Sequence, residues 1–313
     1  MAQSGASPGR EPRDDFLSSL LTQVRRAQKY FAPTADPITA LTAAAEVSEF
    51  VEARLGVIRE LARMAGSVSA PSLADEGPLP VFTYWDSAIK DAPPVVQACV
   101  AQLLRVHPKA HVLDGRSARE LIDIPPIIAA RLERDRPAHF SDYLRVALLE
   151  RHGGIWLDAT CFVPQPLTDH VTPLLDAGVL YPRWSTQQIS NWFIAARAGN
   201  PMIAMQRAAI ECWWTENDHL PDYFLYHRIF EALDELAPEV HRIWAEVPFV
   251  STIPSHLLQL AMFRRYDPDE VSQILGASFV QKLSYKFDQD TVPVDSILAR
   301  IISGQPLVAS PEP

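Results

Sequence analysis

Cysteine is scarce in this chain of 313 residues, which contains only Cys99, Cys161 and Cys212. Widely separated cysteines in an odd number exclude a disulfide-stapled scaffold and a cysteine-rich zinc site. Such usage is typical of a protein in a reducing compartment, so we expect a cytoplasmic location.

Long apolar runs and blocks of basic residues are also missing. No stretch of about 18 uncharged apolar residues occurs, so the sequence predicts no transmembrane span. The N-terminal segment carries Arg10, Arg13, Asp14 and Asp15 before any apolar run, which is not the pattern of a secretory signal. With a formal charge of −10 and no run of lysines or arginines, we expect no binding of nucleic acid.

Apolar residues make up 48% of the chain, which is enough to build a hydrophobic core. We expect a disordered leader over residues 1–14, a helical hairpin over 15–66 and a linker over 67–78. The hairpin prediction rests on two amphipathic patterns separated by Pro33 and Pro37. Such a hairpin either covers the main domain or docks a partner or acceptor, and amphipathic helices usually cover a core.

Residues 79–305 alternate between strand-like and helix-like segments, and a flexible tail is expected over 306–313. The predicted strands are 81–85, 111–113, 155–157, 179–181 and 192–196, and the predicted helices are 93–106, 137–152, 202–214 and 223–236. This alternation predicts an α/β domain around a mainly parallel central sheet. Ligands of such sheets bind at the carboxyl ends of the strands.

One segment of this domain combines charged residues with a tight reversal of the chain. Asp142 and Arg145 are three residues apart on a predicted helix and therefore share one face. Gly153 and Gly154 allow the chain to reverse into a short strand that ends at Asp158. Two acids and a guanidinium near one sheet edge suit a nucleotide and metal site. An equally simple interpretation is a surface ion pair worth under about 1 kcal/mol, with Asp158 capping a turn.

Further motifs accompany this segment in a fixed order along the chain. They are Tyr84-Trp85 with Ala92-Pro93, Ser141-Asp142-x-x-Arg145, Gly153-Gly154-Ile155-Trp156-Leu157-Asp158-Ala159-Thr160, Ser190-Asn191-Trp192-Phe193-Ile194-Ala195-Ala196, Asp222-Tyr223-Phe224-Leu225-Tyr226-His227, Ile253-Pro254-Ser255-His256 and Lys282-Leu283-Ser284-Tyr285-Lys286. The ordered set resembles the capsular polysaccharide synthesis protein family of GT-A-type nucleotide-sugar glycosyltransferases. This family is similar to yeast glycan mannosyltransferases and to the glucosyltransferase domains of large clostridial toxins. The resemblance implies a GT-A-like domain and a bacterial protein of capsule polysaccharide biosynthesis.

The resemblance also implies roles for individual residues. Trp85, next to Tyr84, stacks on the nucleotide base. Asp142 binds hydroxyls of the donor sugar, and Arg145 lies nearer the phosphates or the transferred sugar. Asp158 contacts the ribose and the metal-bound diphosphate. The residues implied to close over the diphosphate are Lys282, Ser284 and Lys286.

The same resemblance implies a divalent metal, Mn²⁺ or Mg²⁺. Asp158 is similar to the first acid of an Asp-x-Asp motif, whereas Thr160 stands where toxins and yeast enzymes carry the second acid. Capsular-type relatives commonly have Ala-Thr there. A hydroxyl is a weaker ligand than a carboxylate. We therefore expect most of the metal ligands to come from Asp158, the diphosphate and water.

Three other polar residues are weaker candidates, each with two interpretations. His227 and His256 are either acceptor-site residues or histidines packed in the core. Asn191, at the start of a predicted strand, either binds the donor sugar or pairs with the backbone.

The residues and the resemblance together predict transfer of a sugar from a nucleoside diphosphate, a uridine one, to a hydroxyl of a glycan or glycolipid. The resemblance also implies that the anomeric configuration is retained. A lipid-linked acceptor is then reached by peripheral association at the inner face of the membrane. One alternative is an inactive glycosyltransferase-like partner protein whose metal motif has decayed. Another is a metal-dependent nucleotide phosphohydrolase, although such sites usually gather several carboxylates around two metals.

Overall fold

The computed structural model describes residues 16–18, 20–21, 37–66, 73, 78–186 and 188–307. The predicted leader over 1–14 and most of the predicted linker lie outside the described residues. Of the first predicted helix, residues 16–18, 20 and 21 are described, and they are helical. Within the described ranges, no helix is long and apolar enough to cross a bilayer.

The many prolines of the sequence mark the beginnings of helices. The described α-helices are α1 (Pro37–Gly66), α2 (Pro94–Val106), α3 (Gly115–Leu121), α4 (Pro126–Ile128), α5 (Pro137–His152), α6 (Thr168–Val171), α7 (Pro201–Glu216), α8 (Leu225–Leu236), α9 (Pro238–Glu246), α10 (Leu257–Ala261), α11 (Pro268–Gly276) and α12 (Ile297–Ile302). Proline opens many of them because a first-turn residue has no intrahelical N–H bond to lose. The described strands are β1 (Val81–Tyr84), β2 (His111–Leu113), β3 (Gly154–Leu157), β4 (Cys161–Phe162), β5 (Val179–Leu180), β6 (Pro182–Arg183), β7 (Phe193–Ala196), β8 (Val250–Ser251) and β9 (Gln281–Lys282).

Five strands form the central sheet in the order β2-β1-β3-β7-β5. Strands β2, β1 and β3 are parallel neighbours, whereas β7 is antiparallel to both β3 and β5. All strands of this sheet except β7 therefore point the same way, and the predicted α/β architecture with a mainly parallel sheet is confirmed. Because β7 runs in the opposite direction, its beginning lies at the same edge as the ends of β1 and β3.

The tight reversal predicted after α5 is present. The helix ends where the Gly153 amide donates to the Leu149 carbonyl at 2.9 Å. Gly153 and Gly154 both have positive φ, at 64° and 103°, a region that residues with a Cβ rarely adopt. A Cβ at Gly154 would also collide with the carbonyl oxygen of Pro80. The two glycines thus allow β3 to start directly beneath the helix that precedes it.

Two hydrophobic clusters hold the described residues together, and the N-terminal segments join different ones. Val47, Val51 and Ile58 of α1 are buried in the cluster around the central sheet, where α1 packs against α7 and α8. Leu20 is buried in the second cluster, formed with α2 and α10 to α12. The two segments of the predicted hairpin therefore cover different parts of the domain, and α1 covers the core as its pattern favours.

Towards the C-terminus, the packed part of the chain extends slightly further than predicted. Leu307 is buried, and its carbonyl accepts a hydrogen bond of 2.9 Å from the Tyr266 hydroxyl. Leu307, which was predicted to belong to the tail over 306–313, is therefore packed against the domain. Residues 308–313 are outside the described part of the chain.

Candidate functional site

A pocket of about 430 Å³ opens where β1 and β3 end. Its volume is within the range of small-molecule sites. The predicted site residues that line it are Tyr84, Trp85, Asp142, Arg145, Asp158, Thr160, Asn191, His227, Lys282 and Lys286. Ser284 and His256 were also predicted, but they do not line it.

The direction of β7 explains how distant segments meet in this pocket. Leu157, the last residue of β3, pairs with Phe193, the first residue of β7. The Asp158 amide then donates to the Trp192 carbonyl at 2.9 Å. The residue before Trp192 is Asn191, which is therefore brought beside both predicted acids.

Asp142 and Arg145 form a buried ion pair. Nη1 of Arg145 lies 3.0 Å from Oδ1 of Asp142, and the two side chains are 5% and 14% exposed. This burial rules out the alternative of an exposed surface pair. Asn191 Nδ2 donates to the same carboxylate oxygen at 2.8 Å, and His139 Nδ1 lies 3.3 Å from the other oxygen. Burial raises the pKa of Asp142, but Arg145 and His139 outweigh it, so this pKa lies below its ordinary value.

Arg145 also reaches the second acid. Its Nη2 lies 3.5 Å from Oδ1 of Asp158, which also accepts a 3.3 Å hydrogen bond from Trp156 Nε1. Nε of Arg145 donates to the Ser141 carbonyl at 3.2 Å. Burial lowers the pKa of Arg145, but Asp142 and Asp158 outweigh burial and raise this pKa above its ordinary value. The guanidinium therefore stays charged and links the two acids, as the sequence predicted.

A short two-stranded ribbon brings Lys282 to the other side of Asp158. In this ribbon β9 pairs antiparallel with β4, with Lys282 opposite Cys161, and the Leu283 amide donates to the Thr160 carbonyl at 2.9 Å. Nζ of Lys282 donates to the Thr160 hydroxyl and lies 3.4 Å from Oδ2 of Asp158. Lys282 is thus held at the motif that the sequence assigned to a metal.

These residues fit a divalent metal poorly. The two predicted ligand oxygens, on Asp158 and Thr160, both face the Lys282 ammonium group. Across the described ranges, no group of three or more His, Cys, Asp or Glu side chains is arranged to hold a metal ion. Mg²⁺ prefers a near-octahedral set of oxygens, and the ammonium lies where such a set would have to form. The need for Mn²⁺ or Mg²⁺ stays a prediction.

Aromatic and basic residues line another part of the pocket. Trp85 follows β1 and packs edge to face with Tyr285, with ring centroids 5.3 Å apart. Lys286 lies next to Tyr285 and lines the pocket, as predicted. The Ser284 hydroxyl accepts a 3.1 Å hydrogen bond from the Lys286 amide and so shapes this turn, and its contact with a diphosphate stays a prediction.

The two predicted histidines have different surroundings. His227 lines the pocket, and its buried Nδ1 has no hydrogen-bond partner among the described residues. His256 is buried away from the pocket, where its Nδ1 lies 2.9 Å from the Thr252 carbonyl and its ring packs 4.7 Å from that of Trp184. Burial lowers the pKa of each histidine to about 4. Of the two interpretations of His256, the structure supports the packed one.

Sequence reasoning missed several residues of this site. His139 contacts Asp142 from three residues earlier on α5, a spacing that could have revealed it. Ser141 belongs to the motif Ser141-Asp142-x-x-Arg145, but the sequence predicted no role for it. Its hydroxyl accepts a 3.0 Å hydrogen bond from Arg145. Trp184 and Tyr223 also line the pocket, and no spacing along the chain indicates that they meet.

Comparison with known proteins places the chain in a glycosyltransferase-like class. Residues 63–301 match the family model described as capsular polysaccharide synthesis protein. The match spans most of the chain, so the protein belongs to the capsular polysaccharide synthesis protein family, and the predicted family is confirmed.

Individual relatives are more distant. The chain is 25% identical over 225 residues to O-glycosyltransferase braB of Annulohypoxylon truncatum, and the match covers 65% of this chain and 51% of that protein. The chain therefore spans about half the length of this curated relative. The solved PaToxG glycosyltransferase aligns with a TM-score of 0.38 and 13% identity, over 86% of this chain and 95% of its own. Because braB is fungal, the predicted bacterial source remains untested.

Proposed function

We propose that this protein transfers a sugar from a nucleoside diphosphate donor, a uridine one, to a hydroxyl of a glycan or glycolipid in polysaccharide synthesis. Membership of a glycosyltransferase-like family supports a transferase. The observation that carries the proposal is the buried cluster of Asp142, Arg145 and Asp158, which opens into a pocket of about 430 Å³.

Within this proposal the donor lies across the edge of the sheet. The base stacks against Trp85, and the diphosphate lies towards Lys282 and Lys286. A carboxylate offers about four lone-pair positions. Asp142 uses three of them for Arg145, Asn191 and His139, which leaves one for a hydroxyl of the transferred sugar.

The proposed reaction retains the anomeric configuration. The acceptor hydroxyl attacks the anomeric carbon from the face that the diphosphate leaves, so a C–O bond to the acceptor forms as the bond to phosphate breaks. The electron pair of the broken bond stays on the diphosphate, whose oxygen takes the acceptor proton. The basic side chains stabilise the charge that develops on this leaving group, and the fixed Asp142 positions the sugar.

The test is release of nucleoside diphosphate from a panel of uridine and guanosine diphosphate sugars, followed chromatographically with the purified protein. We expect a uridine diphosphate sugar to be consumed and uridine diphosphate to be released. A folded protein that binds and consumes none of the panel would support the inactive partner. Monophosphate release from plain nucleotides, without any sugar requirement, would support the phosphohydrolase instead.

A further inference from the structure

The ammonium group of Lys282 lies beside Asp158 and Thr160, where the sequence predicts a divalent metal. We propose that this ammonium takes the place of the metal, so that the pocket binds a nucleoside diphosphate without a divalent ion. This inference rests on the proposed function and concerns only which cation neutralises the diphosphate.

The backbone around Lys282 is anchored in the core. The preceding residue, Gln281, is fully buried, and its side-chain Nε2 donates to the carbonyls of Pro254 at 3.3 Å and Ile274 at 3.1 Å. Its side-chain oxygen accepts from the Leu258 amide at 3.1 Å. Together with the pairing of β9 to β4, these bonds fix the backbone of Lys282. The contacts with Thr160 and Asp158 then hold its ammonium in place before any ligand arrives, as electrostatic catalysis requires.

The oxygens that would bind a metal are already in use. Oδ2 of Asp158 and the Thr160 hydroxyl face the Lys282 ammonium, while Oδ1 of Asp158 faces Arg145 and Trp156. Mg²⁺ binds oxygens at about 2.0–2.1 Å in near-ideal octahedral geometry. A divalent ion would have to displace a side chain of its own charge sign to reach these oxygens.

Lys282 has a donor to spare for a phosphate. The charged side chains that line the pocket are the acids Asp86, Asp142 and Asp158 and the bases Arg145, Lys282 and Lys286. Arg145 is 5% exposed and bonded to two of these acids, so it is poorly placed to reach a phosphate. Lys282 is 19% exposed, and an ammonium carries three N–H donors. Asp158 and Thr160 take two of them, which leaves the third for a phosphate oxygen.

The test uses isothermal titration calorimetry with uridine diphosphate and guanosine diphosphate as probes, in EDTA and in excess MnCl₂. For the wild-type protein we expect dissociation constants that agree within about twofold between the two conditions, since no metal–phosphate contact is formed. Binding in EDTA that tightens about tenfold or more when Mn²⁺ is added would overturn the role of Lys282 and leave the proposed function standing.

Lys282→Ala provides the reciprocal test. Removing the ammonium should weaken diphosphate binding in EDTA about tenfold, because a charge-assisted hydrogen bond is lost. The variant also frees the oxygens of Asp158 and Thr160, so Mn²⁺ should now restore part of the lost affinity. Thermal unfolding of the variant checks that it is folded.

Lys286→Ala is the matched control, since it removes a second lysine of the same pocket that does not contact Asp158. It should weaken binding without creating a response to Mn²⁺. Equal metal responses in the two variants would overturn the assignment to Lys282. If neither diphosphate binds to the wild-type protein in either condition, the proposed function fails, and the role of Lys282 fails with it.

Discussion

Two clusters of buried charge lie on the same helix, α5, and they differ in what surrounds them. In the middle of the helix, Asp142 and Arg145 meet Asp158 at the wall of the pocket. Near its end, Glu150 meets Arg207 of α7 in the packed interior. The comparison separates charges that stabilise the fold from charges that remain available to a ligand.

The cluster around Arg207 is closed. This guanidinium donates to Glu150, to Glu211 at 2.5 Å and to the Leu61 carbonyl of α1 at 3.2 Å. The Tyr143 hydroxyl donates to Glu211 at 2.8 Å. Burial lowers the pKa of Arg207, but the two acids outweigh burial and raise it. Every charge of this cluster has partners within the protein, so we assign it a structural role.

The cluster at the pocket is open on one side. The Asp158 side chain is 29% exposed, whereas those of Glu150 and Arg207 are 8% and 9% exposed. Lys282 contacts Asp158 from the side opposite Arg145 and retains a free donor. The two ion pairs of α5 therefore have different roles, because only the one at Asp142 and Arg145 is accessible from the pocket.

The largest expected effect is on stability, from Arg207→Ala. Removing one partner of a buried ionic cluster leaves Glu150 and Glu211 uncompensated, so the free energy of unfolding should fall by about 3–5 kcal/mol. Urea unfolding followed by circular dichroism measures this change. Arg54→Ala is the control, because its exposed pair with Glu216 also joins α1 to α7 and should matter far less. Equal losses in both variants would contradict the structural role assigned to the buried cluster around Arg207.

Asp158→Ala should have its main effect on activity. The rate of sugar transfer should fall about 100-fold, as for other deleted groups that stabilise charge in a transition state. Nucleoside diphosphate release under saturating donor measures the rate, and Glu211→Gln in the closed cluster should retain far more activity. Transfer by Asp158→Ala at the parental rate would contradict the assignment of the open cluster to catalysis.

A fall in pH should destabilise the fold through His227 and His256. Burial holds both pKa values near 4, whereas an unfolded histidine titrates near pH 6.5. Between these values the unfolded chain binds protons that the folded chain does not, so the free energy of unfolding falls as the pH falls. The loss should reach roughly 2 kcal/mol per histidine at about pH 5. Urea unfolding of His256→Gln should show about half the pH dependence of these two groups, and an unchanged dependence would contradict the packed assignment of His256.

The smallest effect is expected from Trp85→Ala. Stacking of one base on an aromatic ring contributes about 1–3 kcal/mol, so uridine diphosphate should bind about tenfold more weakly. Pyrophosphate carries no base, and its affinity should therefore stay unchanged in the same variant. Calorimetry with both ligands measures the two affinities. Equal weakening of the two would place the base away from Trp85.

Local signals in the sequence predict the central part of the site well. The bounds of α5 follow from Pro137, which suits a first helical turn, and from Gly153, whose positive φ ends the helix. The spacing of Asp142 and Arg145 on one helical face predicts their pairing, which the structure confirms. These features depend on neighbours within a few residues, where pattern and geometry are closely linked.

Long-range pairing could not be predicted in the same way. The two-residue strands β4 and β9 carry no periodic signal, so nothing indicated that Lys282 would contact Thr160. The reversed direction of β7 could not be predicted either, because its residues are all buried and apolar and fit a strand of either direction. His139 differs from these, because its spacing of three residues from Asp142 is a local signal that could have revealed the contact.

A crystal structure of the protein with uridine diphosphate tests the proposed donor site most directly. We expect the uracil ring against Trp85 and the diphosphate within hydrogen-bond distance of Lys282, with the contact between Arg145 and Asp158 retained. A nucleotide bound elsewhere on the protein, or one whose phosphates lie away from Lys282 and Asp158, would contradict the proposed donor site.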